Sequence, residues 1–272
     1  MHFFKSFQLY KRIILAVAII AILAAQSAIA QTDTIDPQHH KLNTKLLNPG
    51  VRQYIVYFVR PGFEKMLWLN LWIRQIEKAT QNKEDVFKIS QYWYSEDSTR
   101  YHHITSINSA ADFSPIYHAA YVGSDLKAYN WSATGIKGTA IADNKAADYK
   151  LDFASPNYNW NLDIETFEML PLAEGKSFVI QFYDAGLEPP AYVTYKVTGA
   201  ESISTLDNKK VDCWKLFTEG NSPKGGHYTQ IFWISKTGHE LLKEEDHFGG
   251  MLRYKVKLPG FASFVPDKFA KQ

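Results

Sequence analysis

Short runs of β-forming residues, separated by residues typical of turns, recur along the chain from Val51 onward. They are rich in β-branched and aromatic side chains, which suit a pleated, half-buried surface. The runs cover residues 54–59, 67–76, 86–94, 99–107, 116–122, 126–131, 135–142, 149–153, 178–183, 192–198, 211–218, 228–234, 240–245 and 251–258. Strands and long helices do not alternate, so a parallel sheet with crossover helices is not expected. The pattern predicts a mainly β fold with a meandering antiparallel sheet.

One stretch departs from this rhythm and has helical spacing. Apolar residues lie at positions 164, 167 and 170, which fall on one side of a helix. Asp163 or Asn161 is a suitable N-cap, and Pro171 ends the pattern. The sequence therefore predicts one short helix near residues 162–170, packed against or across the sheet.

The first 30 residues have the composition of a secretory signal peptide. Three basic residues, Lys5, Lys11 and Arg12, precede an unbroken apolar run over residues 13–25. The small side chains of residues 28–30 then predict cleavage that leaves Gln31 as the mature N-terminus. The alternative is an uncleaved anchor, but the apolar run is shorter than the roughly 20 residues of a spanning helix. The predicted setting is the periplasm or the cell exterior, with no membrane span after cleavage.

Charge and cysteine content narrow the partners and the chemistry. Without residues 1–30, the chain has 27 basic against 28 acidic residues, a formal charge of −1. Such a balance provides no global field to attract nucleic acid, so no nucleic-acid partner is expected. Cys213 is the only cysteine, which precludes an internal disulfide. Its position inside a predicted strand indicates a buried, inert thiol.

The chain divides into three predicted parts. Residues 1–30 are the signal peptide, and residues 31–50 are polar, unpatterned and predicted as a linker. Residues 51–265 are predicted as a single antiparallel β domain. A chain of this length can bury a sizeable core.

Two predicted strands alternate in ways that suggest which face is buried. In the last run, Leu252, Tyr254 and Val256 alternate with Arg253 and Lys255, and the apolar set is expected to face the core. In the second run, Leu67, Leu69, Leu71 and Ile73 share one face. The opposite face carries Trp68, Asn70, Trp72 and Arg74, a mixed set that another element covers or that lines a groove.

The histidines and carboxylates show no catalytic or metal-binding pattern. His39-His40 and His102-His103 are adjacent pairs, whose side chains point to opposite faces of a strand. The late group of His227, His239 and His247 matches no zinc signature. No GxSxG nucleophile motif is present. No catalytic residue, metal or cofactor is therefore predicted, and ligand-binding residues are left open.

Aromatic side chains are abundant, and their role has two readings. They are core residues, or they line an apolar or sugar-stacking concave face. The clearest members are Tyr92, Trp93, Tyr94, Trp131, Trp160, Trp214, Phe232 and Trp233.

The later part of the chain resembles a known family. The resemblance rests on FSPIY at 113–117, residues 165–172 followed by Gly175, YKVTGAE at 195–201, VDCWK at 211–215, FWISKT at 232–237, LKE at 242–244 and GMLRY at 250–254. Over residues 113–258 the chain is similar to exported bacterial proteins grouped as domain of unknown function 3108. That family is thought to resemble the half-barrel of periplasmic lipoprotein carriers, in which a curved sheet wraps a helix or an apolar ligand. The resemblance implies export and a half-barrel or open barrel, and it transfers no catalytic residues.

Three functions are then expected, in descending order. The first is a non-enzymatic periplasmic protein that binds or carries a lipid or another apolar or amphipathic ligand on the curved sheet. The second is an interaction module for another envelope protein. The third is an enzyme acting on glycans or lipids, for which no acid/base pair can be singled out. The absence of a lipid-bearing cysteine near residue 30, together with the early extra strands, distinguishes the chain from a minimal carrier.

Overall fold

Each predicted β run corresponds to a strand of one sheet. A computed structural model describes residues 32–39, 42–63, 65, 67–187, 189–222 and 225–261. The predicted signal peptide lies outside the described residues. The strands are β1 (Thr32–Ile35), β2 (Gly50–Val59), β3 (Trp68–Gln81), β4 (Glu84–Ser95), β5 (His102–Ser109), β6 (Pro115–Val122), β7 (Asp125–Ser132), β8 (Gly135–Gly138), β9 (Lys150–Asp152), β10 (Tyr158–Asn159), β11 (Ser177–Tyr183), β12 (Ala191–Ser204), β13 (Lys210–Asn221), β14 (His227–Ser235), β15 (Leu241–Phe248) and β16 (Met251–Lys257).

Two antiparallel meanders lie side by side in this sheet. The strand order is β1-β11-β12-β13-β14-β15-β16-β2-β3-β4-β5-β6-β7-β8-β9. Strand β16 pairs with β2, with Leu252 opposite Val59 and Lys257 opposite Tyr54, which joins the late half of the chain to the early half. The short strands β1 and β10 pair with β11 in parallel, unlike the other neighbours. The predicted mainly antiparallel fold is confirmed.

The sheet curves until its two ends meet through side chains. Strands β7 and β11 are far apart in the strand order, yet the rings of Trp131 and Tyr183 lie 5.5 Å apart. Phe153, which follows β9, lies 5.4 Å from the same tyrosine ring. No backbone pairing closes this seam within the described residues, so the sheet is an open, curved half-barrel. Its edge strands β1 and β9 are short, which limits pairing with other chains.

A short helix packs against the concave face, in agreement with the short helix predicted near residues 162–170. A 3-10 turn (Trp160–Leu162) continues into helix α1 (Asp163–Glu168). Asn159, rather than the expected Asn161 or Asp163, caps the start, because its Oδ1 accepts a hydrogen bond from Asn161 N at 3.0 Å. Phe167 lies at the centre, with its ring 4.6 Å from that of Tyr195 and 4.8 Å from that of Phe232. The main core is therefore the helix packed into the sheet.

The predicted linker of residues 31–50 is instead built into the fold where it is described. Residues 32–35 form β1 against β11, and Ile35, Leu42 and Leu47 are buried in the main core. Asn43 N also donates a hydrogen bond to the carbonyl of Met169 at 3.0 Å, next to the end of the helix. The polar composition concealed this role, because a strand of four residues with one buried aliphatic side chain gives almost no periodic signal.

The face assignment of the closing strand is wrong. Lys255 is buried and Arg253 half-buried on the concave side, while Tyr254 and Val256 lie half-exposed on the outer face. The cations are tolerated inside because they form ion pairs with Glu244 and Asp246 on the neighbouring strand β15. On the outer face the ring of Tyr254 stacks on Tyr57 at 5.0 Å. Alternation correctly separates the two faces, but polarity misidentifies the inner one.

Candidate functional site

The helix leaves one end of the concave face open. A cleft of about 410 Å³ lies there, between the ends of β2, β3, β4, β5 and β16. We call this end of the sheet the mouth and this cavity the mouth cleft. Its lining is largely apolar on the sheet side and polar along one rim. The lining residues are Phe58, Trp68, Leu69, Asn70, Trp72, Trp93, Ser95, Glu96, Asp97, Arg100, His102 and Met251.

Strand alternation and register bring the aromatic lining together. Trp68, Asn70 and Trp72 alternate along β3 and so point to the same face. The register places Trp72 opposite Trp93 of β4, and Trp93 opposite His102 of β5. The mixed face predicted from the sequence is therefore divided. Its first three members line the mouth cleft, whereas Arg74, the fourth, is covered by the helix.

The rings on β3, β4 and β5 form a stacked row. The rings of Trp72 and Trp93 are 4.3 Å apart and inclined by 9°, and those of Trp93 and His102 are 4.8 Å apart and inclined by 21°. From the side of β16, the ammonium of Lys255 lies 4.9 Å from the Trp72 ring centroid, within cation–π range. Burial, with a smaller contribution from Arg100, lowers the pKa of His102, which favours the neutral imidazole in the row.

This packing decides which part of Trp72 and Trp93 a ligand can meet. Trp93 has a ring on each face, and Trp72 has Trp93 on one side and the Lys255 ammonium within reach on the other. A sugar that stacks on an aromatic residue needs a free ring face. The row instead presents ring edges to the cleft, which form an apolar wall.

The polar rim comes from the turn between β4 and β5. Asp97 Oδ1 accepts hydrogen bonds from Thr99 N at 3.0 Å and Thr99 Oγ1 at 2.6 Å. These bonds lower the pKa of Asp97, so its carboxylate is ionised at neutral pH. Glu96 and Arg100 are exposed beside it. The mouth cleft thus has an apolar wall and one charged, solvated side.

An ion-pair network on β15 and β16 lies beside the mouth cleft. Glu244 accepts a hydrogen bond from Arg253 Nη2 at 2.7 Å and pairs with Lys255, and Asp246 pairs with Arg253. Burial would raise the pKa of Glu244, but the charges of Lys255 and Arg253 outweigh it and hold that pKa at about 2. Burial and the Glu244 charge raise the pKa of Asp246 to about 7. Lys255 thus connects this network to the tryptophan row.

A second set of polar contacts fixes the helix inside the sheet. Arg74 Nη2 and Gln91 Nε2 each donate a hydrogen bond to the carbonyl of Asn161 at 2.7 Å. Arg74 Nε lies 3.0 Å from Glu165 Oε1. Glu168 Oε1 accepts a hydrogen bond from the backbone N of Leu241 at 2.9 Å, and burial raises the pKa of Glu168 to about 7. These contacts hold the helix at a fixed depth.

Comparisons with known proteins place the chain in a family. The model of a protein family of unknown function, DUF3108, matches residues 53–257. The chain belongs to the DUF3108 family. The matched region runs from β2 to the end of β16, so it contains all the strands that form the mouth cleft.

Two solved structures are similar to this DUF3108 protein at low identity. A β-barrel-like DUF1849 protein from Brucella abortus is 10% identical, with a TM-score of 0.49, over 76% of this chain and 96% of that one. A DUF1329 protein from Desulfovibrio piger is 8% identical, with a TM-score of 0.28, over 87% of this chain and 96% of that one. No curated protein sequence matches the chain.

Two further residues of this DUF3108 protein, Cys213 and His227, lie outside the mouth cleft. Cys213 is fully buried, and burial raises the pKa of its thiol to about 11. His227 lies 3.6 Å from Glu219 at the surface. Within the part of the chain that the structure describes, no group of three or more His, Cys, Asp or Glu side chains is arranged to hold a metal ion. In those same residues, every helix is too short or too polar to cross a bilayer.

Several lining residues were not found by sequence reasoning. Phe58 and Met251 lie on strands that become neighbours only through the β16–β2 pairing, which joins residues about 190 positions apart. Asp97 and Arg100 lie in a turn whose composition is ordinary. The available signal was the DST sequence at 97–99, in which an Asp followed two residues later by Thr is typical of an Asx turn.

Proposed function

We propose that this DUF3108 protein is an exported, non-enzymatic binding protein that holds an apolar or amphipathic ligand in the mouth cleft. The observation that carries the proposal is the cleft itself. The helix packs into the main core of the sheet, yet about 410 Å³ lined by Phe58, Trp68, Trp72, Trp93 and Met251 stays open. Ligand pockets typically have volumes of roughly 300–1,000 Å³, with apolar walls and few polar groups.

The chemistry of the lining favours an amphipathic ligand over a sugar. The faces of Trp72 and Trp93 are already engaged, so their edges provide a wall suited to an acyl chain or another flat apolar group. The polar part of such a ligand would then lie toward Glu96, Asp97 and Arg100 at the solvated side. Arg100 supplies a cation and the two carboxylates supply acceptors, so a headgroup with mixed polarity is accommodated.

We propose a non-enzymatic role because the carboxylates with raised pKa values lie away from the mouth cleft. Raised pKa values are common at catalytic sites. Here Glu168 and Asp246 have pKa values of about 7, but both side chains are buried in ion-pair networks and neither lines the mouth cleft. The export part draws on the signal-peptide composition of residues 1–30.

Native mass spectrometry of the chain purified without detergent from the periplasmic fraction tests this function. We expect a discrete small-molecule adduct that is released on denaturation and extracts into organic solvent. Asn70→Trp, between Trp68 and Trp72, should fill the cleft and strongly reduce the adduct.

The matched control is Leu71→Trp, which places the same bulk on the outer face of the same strand. It should keep the adduct at the wild-type level. An unmodified mass for the wild type, or equal loss in both variants, would count against the proposal.

A further inference from the structure

The hairpin between β2 and β3 carries large apolar side chains into solvent. Phe63, Leu67, Trp68 and Leu69 are 53%, 55%, 39% and 53% exposed, four such residues within seven positions. We call the described residues of this hairpin, 60–63, 65 and 67–69, the apolar tip. Large exposed apolar patches on a folded protein usually mark an interaction surface.

The apolar tip lies at the mouth cleft. Trp68 and Leu69 belong both to the tip and to the cleft lining, so one apolar surface runs from the tip into the cavity. Two other turns at the same end add exposed apolar residues. Phe248 lies next to the β15–β16 turn, and Val122 lies at the β6–β7 turn. The register of β5 and β6 places Val122 directly opposite the cleft residue His102.

The arrangement of the tip side chains indicates what covers them. Successive residues on a strand point to opposite faces, so Trp68 and Leu69, the first two residues of β3, project to opposite sides of the hairpin. A protein partner with one contact surface would cover one of these sides. A lipid bilayer surrounds an inserted tip on all sides and would cover both.

The charges of the tip fit a bilayer surface with anionic lipid. Arg60 and Lys65 are exposed on either side of Phe63, and the Arg60 guanidinium lies 5.1 Å from the Phe63 ring centroid. The sequence of residues 60–69 carries these two cations and Glu64, a net charge of +1. Tryptophan, phenylalanine and leucine beside basic residues are typical of segments that insert shallowly into the headgroup region. This attraction is local, because the chain as a whole is nearly neutral.

We propose that the apolar tip inserts into the surface of a phospholipid bilayer and sets the mouth cleft against the lipid phase. The inference rests on the proposed function, which it deepens by naming the source or destination of the ligand. An amphipathic molecule would then pass between bilayer and cleft along Trp68 and Leu69 without crossing bulk water.

Flotation with vesicles of phosphatidylethanolamine and phosphatidylglycerol tests the insertion. The processed wild-type chain should float with the vesicles. Leu67→Ser should lower the vesicle partition coefficient by roughly tenfold, since burying a leucine side chain contributes about that factor or more. Phe63→Ser should act similarly. Neither residue lines the mouth cleft, so ligand binding from solution should be unchanged in both variants.

The control is Leu206→Ser in the turn between β12 and β13, at the opposite end of the sheet. Leu206 is 55% exposed, the same fraction as Leu67, so the two changes remove equal exposed apolar character. It should float like the wild type. A wild-type chain that stays with the soluble fraction, or equal losses in the two leucine variants, would overturn the insertion.

The two proposals fail in different ways. If the chain binds vesicles but carries no amphiphile, the proposed ligand binding is rejected. The apolar tip would then only attach the chain to the bilayer, which contradicts the transfer of a ligand. A bound amphiphile in a chain that ignores vesicles would keep the proposed function and reject the tip.

Discussion

Replacing Lys255 with alanine should destabilise the protein by about 3–5 kcal/mol, the usual result of removing one partner from a buried ion pair. The Lys255 side chain is almost fully buried and pairs with Glu244, which is itself 1% exposed. Among the described residues, the variant keeps Arg253 as the ion-pair partner of both Glu244 and Asp246. The pKa of Glu244 should then rise, because Lys255 supplies the larger of the two positive charges that hold it down. Urea unfolding measures the loss against a total of about 5–15 kcal/mol.

Val256→Ala on the same strand is the comparison. Val256 lies half-exposed on the outer face, so its truncation should cost about 1 kcal/mol or less. The order of the two losses reports which face of β16 is inside. A larger loss at position 256 than at 255 would reverse the assignment and contradict the ion-pair network.

The second large effect is expected at the centre of the helix. Phe167→Ala should cost about 3–5 kcal/mol, since it leaves a cavity among the rings of Phe182, Tyr195 and Phe232. A loss of this size can unfold a marginally stable domain, so circular dichroism should accompany the urea melts. A second substitution, Phe167→Leu, retains part of the volume and should remain folded with a smaller loss.

Tyr192→Ala provides a control on strand β12. Its side chain is 55% exposed, and its removal should cost less than about 1 kcal/mol. If Phe167→Ala proved no worse than this control, the helix would not be the plug of the concave face. The open cavity would then be much larger than the mouth cleft of about 410 Å³.

The sequence predicted the strands well because each one has its own local signal. Alternating apolar residues and turn residues are readable over a few positions. Strands β1 and β10 were missed because four and two residues are too short to show a period. The β16–β2 pairing, which defines the shape of the sheet, joins the two ends of the family region and leaves no trace in local composition.

The face of β16 shows a different limit. The period of two is visible, but polarity alone assigns the wrong side, because Glu244 and Asp246 neutralise cations in the interior. The outer side is also partly apolar, with Tyr57 stacked on Tyr254. When one face of a strand is half-buried and the other carries ion pairs, the residues of that strand alone do not show which face points into the core.

The candidate site was predicted only in pieces. Trp68, Asn70 and Trp72 were recognised as a face that is either covered or lines a groove, and they do line the mouth cleft. Their connection to Trp93 and His102 depends on the register of three strands. Register is fixed by the complete sheet and by turn lengths, so a single sequence gives it poorly.

The central claim is that an amphipathic ligand lies in the mouth cleft, and photo-crosslinking locates it most directly. A fatty acid with a diazirine in its acyl chain would be bound to the delipidated chain, irradiated and mapped by peptide mass spectrometry. We expect labels within residues 58–72 and 93–102 and at Met251, and unlabelled fatty acid should compete for them. The labels should be lost in Asn70→Trp and kept in Leu71→Trp. Labels confined to the outer face of the sheet, or uncompeted labels spread over the surface, would contradict it.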